Sequence, residues 1–407
     1  MSQHQFSRRL IETLKMESSL RFIIPVIVLF SAKLLAGFVI YQVLGLSQND
    51  SYWMMTSAGV EGQNSLLIQK TNQIIRWPYL FLGWDSGWYL SIAVKGYPFS
   101  SQSYAFFPGL PLFTWLLNKV INNPLVSITL ISFTVGVIWL PAYQLVAENY
   151  MNRSEALKST LLYGFFPYTF IFTTVAYPEG LFILFTLGSW YFFKKKRFLL
   201  MGACASIAAI SRPPGIFLII PLLLEVLREY RCYRRPIHYK TLISLALPLI
   251  SIFSWFLYCQ ISINNWLASI TRTSWNEMHS LLTFIFRIIP EKGVQTLFEN
   301  PNTHFFSLFQ TISLLFFITT PIAVYTLFKK EKSLAIYSII TSLWILVVGA
   351  LQSIPRYFSA LPFMWSSFML RISRPKHSRV IILTICSLFY IISAFLWYEF
   401  LIGELVS

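Results

Sequence analysis

The sequence predicts an all-α polytopic membrane protein that folds as a single integral membrane domain over residues 1–407. Two features of the composition predict this class: 56% of the residues are hydrophobic and only 12% are charged, whereas a soluble domain averages about a quarter charged residues. The third observation is the arrangement of the residues, because long apolar runs alternate with short clusters of Lys and Arg. Runs of this kind are typical of helices that cross a bilayer.

About eleven helices are expected, each built on one apolar run. The first, at residues 20–44, is followed by no small-x-small cleavage site and is expected to be retained as a membrane helix. The other predicted helices cover residues 124–147, 158–176, 180–193, 198–211, 213–228, 240–262, 306–328, 333–351, 357–371 and 380–402. Several fall short of the ~20 residues of a full crossing, which a membrane protein tolerates where a helix lines a cavity.

The basic residues predict the orientation of these helices. With the N-terminus in the cytoplasm, the basic clusters at residues 194–197, 228–236, 329–332 and 371–379 also fall inside, as the positive-inside rule requires. This assignment of the basic clusters to the cytoplasmic side holds only if "FFPGLPLFTWLLNKVI", at residues 106–121, does not cross the membrane. Its prolines and its shortness favour a re-entrant or surface-lying element. Residues of about 45–105 and 264–305 then form two extracytoplasmic loops.

The charge and the cysteines exclude several functions. The net charge of +16 does not indicate a nucleic-acid partner, because the basic residues lie at the ends of apolar runs. The four cysteines, Cys204, Cys232, Cys259 and Cys386, show neither a disulfide framework nor zinc-ligand spacing. No metal and no cofactor is expected.

Asp85 is one of two aspartates in the chain and lies in "FLGWDSGWYLSIAVKGY". Trp84, Trp88 and Ile92 recur every four residues, which predicts a helix lying in the membrane interface. One interpretation is that Asp85 or Ser86 only caps this helix, since both residue types are favoured caps. The other is a catalytic carboxylate, surrounded by aromatic rings on which sugars and head groups stack.

Further polar residues interrupt apolar surroundings on the same predicted face. Glu179, in "AYPEG", either meets a helix dipole or binds an acceptor hydroxyl or an arginine. Arg212, in "ISRPPGIF", and Arg356, in "QSIPRYFS", either snorkel to the interface or hold a phosphate. Lys95 is a weaker phosphate ligand of the same kind. Together, one base and several cations suffice to transfer a sugar from a lipid phosphate to a hydroxyl group, with inversion.

In order along the chain, these stretches resemble the PIG-V family of mannosyltransferases, which belongs to the GT-C class. The matching elements are "WDS" at Trp84–Ser86, "KGY" at Lys95–Tyr97, "AFFPGLP" at Ala105–Pro111, "AYPEGLF" with Tyr177 and Glu179, "SRPPGIF" with Arg212 and Gly215, and "IPRYFSALP" with Arg356 and Tyr357. The middle prolines of "RPPG" depart from the Thr-Arg-Ser-Asn-Gly element of the family.

The resemblance implies a GT-C-type helix bundle that takes mannose from polyprenyl- or dolichyl-phosphate-mannose. The acceptor would be an extracytoplasmic glycan or glycolipid, and membrane lipids would surround the bundle. Asp85 would be the general base, and Arg212, Arg356 and Lys95 would bind the donor phosphate. The residues expected to contact substrate are Trp84, Ser86, Trp88, Tyr97, Tyr177, Glu179 and Tyr357.

Two other classes remain open from the sequence. A transporter or flippase for a lipid-linked or anionic solute would also place acids and arginines in the membrane, although the chain lacks the internal repeats that transporters commonly show. A non-catalytic assembly subunit would need these residues only for complex formation. The expected location is a prokaryotic plasma membrane, or the endoplasmic reticulum in a eukaryote, with the site on the extracytoplasmic face.

Overall fold

The computed structural model describes residues 3–44, 80–233, 239–271, 320–348, 353–365 and 378–402, and these ranges are helical with no strand. This confirms the all-α class. The longer helices are α1 (Gln3–Leu44), α2 (Ser86–Lys95), α3 (Gly109–Ile121), α4 (Pro124–Ala147), α5 (Arg153–Phe165), α6 (Glu179–Lys194), α7 (Phe198–Ser211), α8 (Ile219–Tyr233), α9 (Tyr239–Ile263), α10 (Lys332–Val348) and α11 (Ser378–Ile402).

Four stretches in the described residues are long and apolar enough to cross a membrane: Leu20–Val43, Pro124–Ala147, Tyr239–Ile263 and Arg379–Leu401. A polytopic protein is therefore confirmed, whereas a total of about eleven helices is not. At about 1.5 Å per residue, α3 is ~20 Å long, less than the ~30 Å of a hydrocarbon core. α3 has 13 residues, but α7, which is expected to cross, has only 14, so the expectation that residues 106–121 do not cross stays a prediction.

The prediction of one continuous helix over residues 158–176 is wrong, because the helix is interrupted at Pro167. α5 ends at Phe165, and a separate helix runs over Pro167–Phe172. Proline lacks the N–H that a continuing helix needs and forces the preceding residue out of the α region; Phe166 accordingly has φ −56° and ψ 127°. The chain then turns over residues 173–178 before α6 begins, and this turn carries Tyr177.

Two further predicted helices also start differently at prolines. The helix expected at 213–228 begins as a 3-10 helix at Pro213–Leu218 and becomes α8 only at Ile219. The helix expected at 357–371 is replaced, in the described residues, by short helices at Ile354–Ser359 and 362–365. Most of the second loop and the first part of the helix expected at 306–328 lie outside the described residues.

The core is built where small residues let helices approach closely. α6 packs between α4 and α7, and α7 packs against α9. A Cβ at Gly202 of α7 would lie 2.5 Å from the carbonyl oxygen of Ser244 in α9, so only glycine allows this contact. Trp139 packs against Tyr163 of α5, Trp190 packs against Phe363, and both tryptophans are fully buried. Outer side chains such as Phe38 are exposed and apolar, as lipid-facing residues are.

Described residues of three of the basic clusters lie together at one end of the bundle. Lys194, the last residue of α6, lies 3.2 Å from Glu331, and Arg228 of α8 lies 3.7 Å from the same carboxylate. Glu179 is the first residue of α6, so about 15 residues of helix, or ~22 Å, separate it from this basic end. The two ends of α6 therefore differ in charge, and which membrane face each end occupies stays a prediction.

The helix expected around Trp88 is present but does not lie open in an interface. α2 begins at Ser86, and its Tyr89, Leu90, Ile92 and Ala93 are buried. Only its last two residues, Val94 and Lys95, are exposed. α2 therefore packs into the protein over most of its surface, because apolar side chains lie around the helix and not on one face.

Candidate active site

Four charged side chains from distant parts of the sequence form one cluster. Asp85, Glu179, Arg212 and Arg356 come from the residue before α2, the start of α6, the end of α7 and the short helix Ile354–Ser359. Oδ2 of Asp85 lies 3.1 Å from Nη1 of Arg356, and Nε of Arg356 lies 3.2 Å from Oε1 of Glu179. Arg212 also donates from Nη1 to that Glu179 oxygen. The cluster is thus an alternating chain of carboxylates and guanidinium groups.

The backbone of Asp85 is held by the residues around it, and its carboxylate is not used for local hydrogen bonds to α2. Its N–H donates to the hydroxyl of Tyr177 at 3.1 Å. The hydroxyl of Ser86 accepts from Gly83 N–H at 3.0 Å and donates to Gly83 C=O at 2.5 Å, while Trp84 has a left-handed φ of 48°. The side chain of Asp85 makes no cap hydrogen bond to α2. The interpretation of Asp85 as only a helix cap is therefore wrong, because its carboxylate pairs with Arg356.

Glu179 is the most deeply buried of the four charged side chains in the cluster, with 2% of its side chain exposed. It opens α6 directly after Pro178, where the positive end of the helix dipole favours a carboxylate. Glu179 therefore both lies at the positive end of a helix dipole and pairs with arginines, so these two interpretations of the residue hold together. Its second oxygen, Oε2, is buried and has no hydrogen-bond partner among the described residues.

The two arginines are enclosed by aromatic rings. Arg212 lies 4.5 Å from the ring centroid of Tyr357, and Arg356 lies 4.8 Å from the same ring, 5.0 Å from Tyr177 and 5.4 Å from Phe172. Nη2 of Arg356 also donates to the hydroxyl of Tyr357 at 3.3 Å. The arginines are 9% and 6% exposed. Both point into the protein, so the snorkelling interpretation is wrong.

Local packing places each arginine. Arg212 follows α7 in an extended conformation, and Gly215 behind it lies so close to α7 that a Cβ would meet the backbone of Ala208 at 2.3 Å. The helix of Arg356 is fixed by Tyr163, whose hydroxyl donates to the carbonyl of Ser359 at 2.7 Å. The "RPPG" sequence thus starts a 3-10 helix that fits against α7.

The cluster contains two carboxylates and two guanidinium groups and is neutral in sum. Burial raises the pKa of Tyr89, and the nearby carboxylates of Asp85 and Glu179 raise it further. Burial lowers the pKa of Arg356, but Tyr357 and the two carboxylates outweigh this effect and hold that pKa above its ordinary value.

Asp85 has the most exposed side chain of the four charged residues in the cluster, at 24%. The cluster is therefore reached from the side of Asp85.

Several predicted residues lie away from this cluster. Tyr97 packs on Trp255 at 4.6 Å and donates to the carbonyl of Phe106 at 2.9 Å. Trp88 stacks on the ring of Phe106 at 5.4 Å. Lys95 is exposed at the far end of α2, ten residues or ~15 Å along the helix from Asp85. The structure brings Tyr177, Glu179 and Tyr357 into the cluster, but not Lys95 or Tyr97. Contacts of any of these residues with substrate stay predictions.

Sequence reasoning missed Phe172 and Lys33. Phe172 underlies Arg356, but a phenylalanine in an apolar run carries no distinguishing signal. Lys33 did carry one, because it is a cation within the apolar run at residues 20–44, and ionisable residues inside membrane helices are rare. Among the described residues, no group of three His, Cys, Asp or Glu could hold a metal ion, and the four cysteines are free thiols.

The fold and the cluster together define a multi-pass membrane protein with a buried ionic site. Residues 105–256 match the sequence profile of the dolichyl-phosphate-mannose-protein mannosyltransferase family. This segment includes Glu179 and Arg212, while Asp85 and Arg356 lie outside it. The match supports a membrane glycosyltransferase of the GT-C class, and the narrower resemblance to the PIG-V family stays a prediction.

Other comparisons are more distant. No curated protein sequence gives a significant match. Among solved structures, the chain is similar to the oligosaccharyltransferase of Archaeoglobus fulgidus in complex with Zn and sulfate, with 13% identity, a TM-score of 0.45, and coverage of 89% of this chain and 52% of that one. For the apo form of that protein the identity is 11% and the TM-score is 0.47, with coverage of 92% of this chain and 56% of that one. The chain thus spans about half the length of these structures.

Proposed function

We propose that this protein is an inverting GT-C glycosyltransferase that transfers mannose from polyprenyl- or dolichyl-phosphate-mannose to an extracytoplasmic glycan or glycolipid. The observation that carries the proposal is the cluster of Asp85, Arg356, Glu179 and Arg212. It combines a partly exposed carboxylate with two buried guanidinium groups. A base beside fixed cations is what sugar transfer from a phosphate requires.

The arginines are suited to hold the donor phosphate. Guanidinium groups bind phosphate oxygens in a bidentate manner and stay charged at all relevant pH values. Arg356 has spare capacity, because its Nε lies near Glu179 without the alignment of a hydrogen bond. The indole N–H of Trp84 and Oε2 of Glu179 are also buried without partners among the described residues. Because buried polar groups are normally paired, we assign the missing partners to substrate.

Asp85 is the proposed general base. An acceptor hydroxyl oxygen attacks the anomeric carbon of the donor sugar and forms the new C–O bond, while its proton passes to the Asp85 carboxylate. The bond from that carbon to the phosphate oxygen breaks, and its electron pair stays on the lipid phosphate. Arg356 and Arg212 stabilise the negative charge that grows on this leaving group. Glu179 keeps both arginines in place, and Tyr177 and Tyr357 offer rings against which a sugar can pack.

A transfer assay tests this proposal in membranes that lack and then regain the protein. Labelled polyprenyl-phosphate-mannose is supplied, and the wild type is compared with Asp85→Asn at equal folded abundance. Glu148→Gln is the matched control, since the Glu148 carboxylate pairs with Arg21 and accepts a hydrogen bond from Gln144 at the C-terminal end of α4, and contacts no residue of the cluster among the described residues. We expect Asp85→Asn to lower transfer by about 10²–10⁴-fold and Glu148→Gln to leave it unchanged.

Two outcomes would contradict the proposal. Undiminished transfer by Asp85→Asn would remove Asp85 as the base. If the wild type produced no labelled product and the label instead crossed the bilayer, a transporter or flippase would explain the cluster better.

A further inference from the structure

Lys33 is fully buried within the apolar stretch Leu20–Val43 of α1. Its Nζ donates three hydrogen bonds: to the carbonyl of Gly136 at 2.9 Å, and to the carbonyl and hydroxyl of Thr173 at 3.1 and 2.9 Å. An ammonium group has three donors, so this one is saturated. No ion pair of Lys33 occurs among the described residues, and the sugar transfer proposed above does not use it.

We propose that Lys33 is a positioning residue that fixes the turn at residues 173–178 and, through it, the carboxylates of Glu179 and Asp85. The proposal rests on the function proposed above for this cluster. A lysine inside a membrane helix is costly, and α1 already packs through buried apolar residues such as Leu29 and Ala36. Anchoring α1 alone therefore does not account for a lysine here.

The first step of the argument is the contact between α4 and Thr173. A Cβ at Gly136 would lie 1.7 Å from the carbonyl oxygen of Thr173 and 3.3 Å from Nζ of Lys33. Only glycine lets the turn approach α4 so closely. This approach places the carbonyl groups of Gly136 and Thr173 side by side, where one ammonium group binds both.

The second step connects the turn to the charged cluster. The N–H of Ala176 donates to the carbonyl of Phe81 at 2.7 Å, and the hydroxyl of Tyr177 accepts from Asp85 N–H at 3.1 Å. The segment before α2 is therefore bonded to the turn at two points. Glu179 follows two residues after Tyr177. A shift of Thr173 would consequently displace both carboxylates relative to the arginines.

Hydrogen exchange of the purified protein tests this positioning without any activity assay. Lys33→Met keeps the length of the side chain and removes its three donors. Leu29→Ala, on the same buried side of α1, is the control for general destabilisation. We expect the amides of residues 80–85 and 173–177 to exchange at least about tenfold faster in Lys33→Met than in Leu29→Ala. Equal exchange of these residues in the two variants would overturn the proposal.

A kinetic test separates positioning from simple loss of folded protein. Lys33→Met, Tyr177→Phe and the double variant are compared per folded molecule. Because a misplacement of about 1 Å can cost up to ~10²-fold in rate, we expect Lys33→Met to lower kcat by at least about tenfold. We also expect the kcat of the double variant to be only slightly below that of the slower of the two single variants. Multiplicative losses would mean that Lys33 acts independently of the turn and would overturn the proposal.

The two tests fail in different ways. If wild-type protein transfers no sugar, the proposed function fails, and hydrogen exchange alone then decides whether Lys33 holds the turn. If transfer occurs but exchange at residues 173–177 is unchanged in Lys33→Met, the proposed function stands and the positioning role is refuted.

Discussion

The carboxylate of Asp85 lies 3.1 Å from the guanidinium group of Arg356, although 271 positions separate them in the sequence. The proposed base and a proposed phosphate ligand are therefore bonded to each other. If the donor phosphate takes Nη1 of Arg356 as well as Nε, it replaces Asp85 at Nη1 and leaves the carboxylate free to accept the proton of the acceptor hydroxyl. The pair would then couple donor binding to the reaction of the acceptor.

The first prediction concerns the order of substrate binding. If the donor phosphate must displace Asp85 from Arg356 before the acceptor can react, binding is ordered with the donor first. An acceptor analogue that lacks the attacking hydroxyl should then inhibit uncompetitively against the donor. Initial-rate kinetics over a matrix of both concentrations measures this. Mixed inhibition would indicate random binding and contradict the release of Asp85 by the donor.

The second prediction concerns the energy of the ion pairs. Arg356→Met leaves the Asp85 carboxylate without this partner and weakens the neutralisation of Glu179, and breaking a buried pair costs about 3–5 kcal/mol. Because Asp85 is partly exposed, Asp85→Asn should cost less. The double variant should be more stable than the sum of the two losses predicts, by about 1–3 kcal/mol. Equilibrium unfolding in mixed micelles measures all three variants, and strictly additive losses would contradict the pairing.

The third prediction is a loss of stability at alkaline pH. Burial raises the pKa of Tyr89 and of Tyr97 above the ordinary value. Above about pH 10 the unfolded phenol groups release protons, while the folded ones keep them. The unfolded state then binds fewer protons, so the free energy of unfolding falls as pH rises, by up to about 1.4 kcal/mol per pH unit for each group.

Replacing one of these phenol groups should flatten that dependence. Between about pH 10 and 11, Tyr89→Phe should reduce the fall of the free energy of unfolding with pH by the contribution of one phenol group. Tyr230→Phe, which changes a ring that is 53% exposed, is the control and should leave the slope as in the wild type. Unfolding titrations at several pH values measure the slopes. An unchanged slope in Tyr89→Phe would contradict the burial of its hydroxyl.

The fourth prediction concerns the contact between α4 and the turn. Gly136→Ala places a methyl group against the Thr173 carbonyl, and we expect a loss of about 1–3 kcal/mol from overpacking together with reduced transfer. Gly188→Ala in α6 is the control, because its nearest neighbour would be the Sγ atom of Cys204 at 3.2 Å. Thermal unfolding and the transfer assay compare the two. A Gly136→Ala protein with wild-type stability and rate would refute the close contact.

Local patterns predicted the class of the fold and many of its helices. α7 was expected at residues 198–211 and is found at Phe198–Ser211, and α6 differs from its expectation by one residue at each end. The errors occur at prolines, as at Pro167 and Pro213, where the apolar run continues but the hydrogen-bonding pattern of the helix cannot. Apolarity alone therefore overestimated the continuity of helices.

The sequence predicts which polar residues could form a site, but not which of them lie together in space. Asp85, Glu179, Arg212 and Arg356 were visible because each interrupts apolar surroundings, and the structure brings all four together. Lys95 was chosen for the same reason, yet it lies at the far, exposed end of α2. A charged residue that is close to a motif in sequence can lie far from it in space when a helix separates the two.

By itself, the sequence determined the membrane class, most helical segments and the set of polar residues from which a site could be built. Only the tertiary structure decided which of these residues meet: that Arg356 lies between Asp85 and Glu179, and that Lys33 reaches the turn next to the cluster. The physical reason is that helix formation depends on neighbours in sequence. Contacts between helices instead depend on packing, where one missing Cβ, at Gly136, sets the distance between two chain segments.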